Sequence, residues 1–311
     1  MSKIALLALL SALAATACVE ESSAPVEAEA PVEAPVATPV EAPMPVVSLC
    51  WVETAHTNVL GSATASGIVV RHAKGTVLVD AGASTSYDAE IEPYSGKDRA
   101  FYEAIPAMMK PRAPLPAVLA GMGIRADEIT SFLPTHVHVD HVGGMMDMPD
   151  VPVLLTPPEA ELVRRGLDET LFEIVPAHAR RLAPLVKEIE LTDQPHEGFA
   201  RSFDPFGDGT IVVVPLPGHT PGSVGVFLDL HDGHPIFHVG DTVSTLAQLE
   251  AGEPKGFLMA DTDSDPDATL ERVGDLRALA ARAPNVRILP AHDRRAWQAI
   301  FGSPGSCIEA R

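Results

Sequence analysis

Ten residues, THVHVDHVGG at positions 135–144, constrain this chain more than any other stretch of it. They place three histidines and one aspartate within six positions, namely His136, His138, Asp140 and His141. The motif follows SFLP, an apolar stretch typical of a β-strand. In extended backbone, residues two apart point the same way, so His136 and His138 can bind one ion together. Asp140 and His141 lie past the bend, where Gly143 and Gly144 let the backbone turn tightly, and these two side chains can face a second ion.

Two adjacent metal ions need six or seven protein ligands, and this motif supplies only four. Three further side chains follow predicted strands: His219 comes after TIVVVPL, Asp241 after IFHVG, and His292 after VRILPA. All seven side chains therefore lie just beyond the C-terminal ends of predicted strands, where α/β architectures gather their binding sites.

Short apolar strands alternate with helical stretches from Val47 onward. The segment SGIVVRHAKGTVLVDAG is typical of a β-hairpin, whereas RAFYEAIPAMMK and LPAVLAGMG are typical of helices. The segment DPDATLERVGDLRALAARA predicts the clearest amphipathic helix, with apolar residues at helical spacing, namely Leu270, Val273, Leu276 and Leu279. This alternation predicts a layered α/β fold, and we expect residues 47–311 to form a single domain.

The order of these motifs resembles that of the metallo-β-lactamase-fold hydrolase superfamily, from about residue 47 to residue 300. The matching motifs are LVDAG, HVHVDH, PGHTPG, a Gly-Asp pair and a late histidine. The resemblance implies an αββα sandwich that holds its metals at one edge of two facing sheets.

The resemblance also implies a role for each residue. One metal would be bound by His136, His138 and His219, and the other by Asp140, His141 and His292. Asp241 would bridge the two metals, and Asp80 of LVDAG would orient ligands without binding a metal.

Two divalent cations about 3.5–4 Å apart can hold a bridging hydroxide and polarise a substrate oxygen. We therefore expect a hydrolase that attacks a lactone, an ester or a phosphotriester, with Asp140 or Asp241 passing the proton to the leaving group. Zinc is the default metal for imidazole and carboxylate ligands. Two alternatives stay open: amide hydrolysis of the β-lactamase type, and a non-hydrolytic relative with a single iron, of the persulfide dioxygenase type.

Within the superfamily, the resemblance favours the branch of lactonases and phosphotriesterase-like enzymes. True metallo-β-lactamases generally carry Cys or Ser near the position of Asp241. One feature departs from acyl-homoserine lactonases, which carry a tyrosine shortly after the bridging aspartate. This chain has Thr242, Ser244 and Thr245 there instead.

Methionines surround the first motif, at Met108, Met109, Met122, Met145, Met146 and Met148. Flexible thioethers suit an adaptable apolar cleft, which Phe101 and Tyr102 could join, but plain core packing explains them equally well.

The first 46 residues predict export and not folded structure. The segment MSKIALLALLSALAATAC predicts a signal peptide over residues 1–18, and its end resembles the lipobox of bacterial lipoproteins, with Cys18 as the lipid anchor. Residues 19–46 repeat Pro-Val-Glu-Ala three times and contain six Glu, which predicts a disordered tether. We expect a membrane-anchored periplasmic lipoprotein, with a soluble secreted protein as the alternative.

The net charge of −20 argues against nucleic acid and anionic membrane surfaces as partners. We expect a small-molecule substrate and membrane contact only through the lipid anchor; the oligomeric state stays open. Cys50 and Cys307 could form a disulfide or stay as two buried thiols. The remaining histidines are assigned to ordinary core packing, namely His56, His72, His178, His196, His231, His234 and His238.

Overall fold

The computed structural model describes residues 47–58, 62–104 and 106–310. The predicted signal peptide with Cys18 and the predicted tether up to residue 46 lie outside these ranges. No helix in the described part of the chain is long and apolar enough to cross a bilayer.

Within those ranges the strands are β1 Ser48–Thr57, β2 Ala63–His72, β3 Gly75–Val79, β4 Ser131–Leu133, β5 Val153–Leu155, β6 Val186–Glu188, β7 Ile211–Pro215, β8 Val224–Leu228, β9 Ile236–His238, β10 Arg287–Leu289 and β11 Cys307–Glu309. The α-helices are α1 Tyr87–Glu90, α2 Gly96–Ala104, α3 Leu115–Gly121, α4 Val139–Val142, α5 Pro157–Arg165, α6 Pro176–Leu182, α7 Leu246–Ala251, α8 Pro266–Arg282 and α9 Arg294–Phe301.

The strands form two sheets. The first has seven strands in the order β11-β1-β2-β3-β4-β5-β6, and the second has four in the order β10-β9-β8-β7. The predicted hairpin is confirmed, since β2 pairs antiparallel with β3 and His72 lies opposite Gly75. Strands β3 and β4 are parallel, as are β9 and β10, while β8 runs antiparallel to both β7 and β9. The C-terminal ends of β7, β9 and β10 therefore lie at one edge of the second sheet.

Three hydrophobic layers separate four layers of structure. Between the sheets, residues of β2 and β3 such as Ile68 and Val79 share a core with β7 and β8 residues such as Val213 and Val226. The outer face of the first sheet packs against α3, α5 and α6, and that of the second packs against α8. This is the predicted αββα sandwich.

Helix α8 confirms the clearest helix prediction with one difference. Asp265 caps its N-terminus by accepting a hydrogen bond from the backbone N–H of Ala268 at 3.0 Å. Val273, Leu276 and Leu279 are buried, but Leu270 is 41% exposed. Thr269 takes the buried position in the first turn, because its hydroxyl donates to the Asp265 carbonyl and its methyl can pack inward.

The chain's two described cysteines form a disulfide. Cys50 of β1 lies opposite Cys307 of β11, with 4.0 Å between their Cα atoms. The bond fixes the edge strand β11, which has only three residues, to a long strand in the core of the sheet.

Candidate metal centre

The first motif begins in the loop after β4 and continues through the single turn of α4. His138 precedes the helix in extended backbone, with φ −63° and ψ 158°, and Asp140 and His141 follow in the turn. The two glycines after it have a role different from the predicted one. Gly143 has ordinary helical backbone, but a Cβ there would lie 2.4 Å from the Ser84 nitrogen. Glycine is needed because the loop after β3 packs directly against this turn.

All seven predicted ligand side chains meet at this edge of the sandwich. Donor atoms within 4.8 Å of one another form three groups: His136 with His138 and His219, His136 with His141 and Asp241, and Asp140 with His141 and His292. Their ring and carboxylate contacts are close. For example, Nδ1 of His138 lies 2.8 Å from Nε2 of His219.

Asp241 contacts both ends of the cluster. One carboxylate oxygen, Oδ2, lies 3.1 Å from Nε2 of His292 and 3.5 Å from Nε2 of His219. The other, Oδ1, lies 3.4 Å from Nε2 of His141. Asp140 is nearer to the surface, and its Oδ2 lies 3.5 Å from Nε2 of His292. The Asp241 carboxylate therefore reaches from His219, in the first of the three groups, to His141 and His292, in the third.

The electrostatics differ across the cluster. Burial holds the pKa values of His136, His138 and His219 well below the ordinary value; neighbouring histidines assist at His136 and His138, and Lys255 assists at His219. These three rings are therefore neutral, which is the form that binds metals. Burial also opposes the charge on His292, but Asp241 raises the pKa of His292 to about 9.

The unpaired polar atoms fit divalent cations. Nε2 of His136, Nε2 of His141 and Oδ1 of Asp241 are buried without a hydrogen-bond partner. Burying such an atom unpaired costs about 1–3 kcal/mol. Nitrogen and carboxylate donors that converge in this number suit zinc or a similar metal.

Asp80 orients the first motif. It follows β3 in the left-handed region, at φ 55°, and its carboxylate accepts hydrogen bonds from the Thr135 N–H at 2.7 Å and from Nδ1 of His141 at 2.9 Å. Burial would raise the pKa of Asp80, but His141 and His238 lower it well below the ordinary value. A strained backbone held by four polar contacts is typical of a functional position.

Sequence reasoning assigned His238 to plain core packing, and the structure places it beside Asp80. Its Nε2 lies 2.9 Å from the Asp80 carboxylate and its Nδ1 lies 3.0 Å from the Leu289 carbonyl. The only sign in the sequence that His238 lies near the cluster is its position three residues before Asp241. His238 is fully buried with both ring nitrogens paired, so the prediction of a core histidine holds there, but it fails for His234, which is exposed.

Two more residues near the cluster, Lys255 and Asp263, were not predicted from the sequence. Nδ1 of His219 lies 2.8 Å from the Asp263 carboxylate, which also pairs with the buried Lys255 at 2.5 Å. Lys255 and Asp263 lie in a loop 36 and 44 residues beyond His219, and no motif marks them. On the opposite side, Nδ1 of His292 lies 2.8 Å from the Thr64 carbonyl.

An aromatic surface lies beside His138. The ring centroid of Phe172 is 5.8 Å from that of His138, and Phe101 and Tyr102 pack on Phe172 at 5.2 and 5.4 Å. Phe101 and Phe172 are half-buried. Of the methionines near the first motif, Met145 and Met148 are buried in the core below the first sheet, which is the core-packing alternative. The cluster thus has an apolar wall built from aromatic rings.

Comparison with known proteins agrees with this geometry. Residues 63–292 match the family model described as the metallo-beta-lactamase superfamily. The chain is 24% identical over 244 residues to N-acyl homoserine lactonase AttM of Azorhizobium caulinodans, which covers 76% of this chain and 84% of the relative. It is 28% identical over 187 residues to the probable metallo-hydrolase Rv2300c of Mycobacterium tuberculosis, covering 57% and 59% of the two chains.

Solved structures share the fold. An N-acyl homoserine lactone hydrolase with N-hexanoyl-L-homoserine at its catalytic metal centre superposes with a TM-score of 0.60 at 17% identity, over 82% of this chain and 97% of that one. Together, the family match and the relatives support the prediction of a metal-dependent hydrolase. With its family model spanning the region from β2 to His292 and its two sheets stacked as predicted, the chain belongs to the metallo-beta-lactamase superfamily.

Proposed function

We propose that this protein is a dinuclear metal-dependent hydrolase that opens lactones carrying an apolar substituent. The observation that carries the proposal is the position of Asp241, whose carboxylate lies within 3.5 Å of His219 at one end of the cluster and of His292 at the other. The ligands of one ion would be His136, His138, His219 and Asp241, and those of the second Asp140, His141, His292 and Asp241.

Two divalent cations, zinc by the chemistry of the donors, would supply Lewis-acid polarisation of the substrate carbonyl and acidify a water molecule. The protein contributes the neutral imidazoles and the fixed carboxylates that hold such ions. Asp140 is the half-buried carboxylate of the cluster, so its outer oxygen can accept a proton from the attacking water and deliver it to the leaving alkoxide.

The surroundings favour a substrate with an apolar part. Phe172 and Phe101 form a half-buried aromatic wall beside His138, which suits an acyl or alkyl substituent. Relatives that bear the name lactonase support a lactone as the reacting group.

A homoserine lactone is not required by these contacts. The hydroxyls of Tyr87, Tyr94 and Tyr102 all donate to backbone carbonyls, so none replaces the tyrosine of the acyl-homoserine lactonases. Thr242, Ser244 and Thr245 follow Asp241 instead.

The test is a substrate panel with the zinc-loaded protein: lactones of increasing alkyl length, aryl esters, a phosphotriester and a chromogenic cephalosporin. We expect about two zinc ions per chain, the highest kcat/KM on lactones, and a KM that falls as the alkyl chain lengthens. Turnover of the cephalosporin alone would overturn the proposal, and so would a single bound iron with oxygen-dependent activity.

We also propose that the protein is exported and carries a lipid on Cys18. The signal-like segment before Cys18 supports this, and the disulfide between Cys50 and Cys307 suits an oxidising compartment. We expect the mature protein to incorporate labelled fatty acid and to partition into detergent, and Cys18→Ala to abolish both. A wild-type chain that is cleaved but stays in the aqueous phase would instead identify a soluble secreted protein.

A further inference from the structure

A buried carboxylate that belongs to none of the predicted motifs lies behind the first group of histidines. Glu159, in the first turn of α5, is 1% exposed. Its Oε1 accepts a hydrogen bond from the Val137 N–H at 2.8 Å. Its Oε2 accepts from the Thr220 hydroxyl at 2.8 Å and from the Gly222 N–H at 3.1 Å.

The donors are adjacent to the histidines of the first group. Val137 lies between His136 and His138, and Thr220 directly follows His219. The first of these loops leaves β4 in the seven-stranded sheet, and the second joins β7 to β8 in the four-stranded sheet. A single carboxylate therefore links two loops that belong to different sheets.

The contact is tight as well as polar. A Cβ on Gly222 would lie 2.4 Å from the Glu159 nitrogen, so the His219 loop packs directly on the start of α5. The Thr156 hydroxyl, which precedes the helix, donates to the Gly222 carbonyl at 2.8 Å. The close backbone packing at Gly222 and the hydrogen bond from Thr156 thus both fix the distance between α5 and the His219 loop.

Glu159 is buried without a counter-charge in the described part of the chain. Among the described residues, no lysine, arginine or histidine forms an ion pair with Glu159. Burial raises the pKa of Glu159 to about 7, although its bonds to Thr220, Val137 and Gly222 oppose that shift. Burying a carboxylate without a counter-charge costs free energy, and here the three hydrogen bonds from the two histidine loops are the contacts that oppose this cost.

The residues proposed for the second ion, which we call the second group, are Asp140, His141 and His292, and different contacts hold them. Asp80 holds Nδ1 of His141, and the Thr64 carbonyl lies 2.8 Å from Nδ1 of His292. Glu159 contacts none of the residues of that group. Its influence should therefore fall on one end of the cluster alone.

We infer that Glu159 is a positioning residue that sets the spacing between the His136–His138 pair and His219, and thereby the affinity of the first ion only. The inference rests on the proposed dinuclear function. In Glu159→Gln, an amide replaces one carboxylate oxygen and presents N–H groups to at least one of the three donors. One loop is then released from the other.

The test isolates each end of the cluster. In a His292→Ala background, which leaves the first group intact, Glu159→Gln should weaken binding of Co²⁺ or Zn²⁺ by about 10–100-fold in chelator competition, the usual range for residues that orient ligands. In a His219→Ala background, which leaves the second group intact, the same change should alter affinity less than about threefold. Glu161→Gln is the matched control, since Glu161 lies on the same helix but is exposed and pairs with Arg164 at 2.9 Å.

A second readout uses the otherwise unchanged chain. Titration of wild-type protein and Glu159→Gln with Co²⁺ should change the visible absorption of one bound ion and preserve that of the other. Circular dichroism of the metal-free proteins reports whether the variant is folded. Equal weakening in both backgrounds, or unchanged spectra and affinities in Glu159→Gln, would overturn the inference. Fewer than two ions bound by wild-type protein would instead overturn the dinuclear function itself.

Discussion

Replacing Asp241 with Asn should reduce hydrolysis by about 10³-fold or more and lower the bound metal from about two ions per chain to one or fewer. The carboxylate contacts histidines at both ends of the cluster, so no other side chain can replace it. An amide carries no charge and offers one oxygen in place of two. Loss of metal-based charge stabilisation amounts to several kcal/mol, which corresponds to a rate factor of this order.

The measurement is kcat/KM on the best lactone, together with metal content by elemental analysis. Asp168→Asn provides the control, because Asp168 is exposed in the turn after α5 and should keep both activity and metal. Full activity with two ions in Asp241→Asn would show that Asp241 does not bridge the two groups.

The second large effect concerns stability. Replacing Cys50 and Cys307 with Ser should lower the free energy of unfolding by about 2–5 kcal/mol, because the disulfide closes a loop across a sequence separation of 257 residues. For a domain of this size the melting temperature should fall by roughly 5–15 °C. Reducing agent should produce the same shift in wild-type protein and none in the double variant.

Calorimetry or circular dichroism at fixed metal loading measures this shift. Cys18→Ala removes the remaining cysteine and should leave the melting temperature unchanged, since it leaves the bond between β1 and β11 intact. A wild-type melting temperature that does not respond to reductant would contradict the prediction.

The metal cluster was predictable because each of its residues follows a strand, and strand ends are marked by local pattern. His219, Asp241 and His292 were located by this signal alone, before any distance was known. The alternation of strands and helices predicted a layered α/β fold, and the resemblance of the motifs implied the αββα arrangement of those layers. Local periodicity is thus enough to bring distant ligands to one edge of a sandwich.

The residues that support the cluster could not be predicted in this way. Glu159, Lys255 and Asp263 gain their roles from contacts between loops of different elements, which no spacing in the sequence encodes. Strands β6 (VKE) and β11 (CIE) are mostly exposed and lack the apolar run that marks strands of the same length such as β9. Leu270 has the right spacing for the apolar face of α8, but it is 41% exposed, and the adjacent Thr269 is the buried residue.

The two sheets share an interface of apolar side chains, and such attraction has no preferred direction. This attraction opposes separation of the two sheets, whereas their alignment also depends on polar contacts such as those of Glu159. At the edge that holds the candidate metal ligands, residues that follow strands of the seven-stranded sheet, such as His136, lie beside residues that follow strands of the four-stranded sheet, such as His219. Metal ions bound by donors from both sheets would cross-link the two sheets. Loss of the metal would therefore loosen the alignment of the sheets as well as abolish activity.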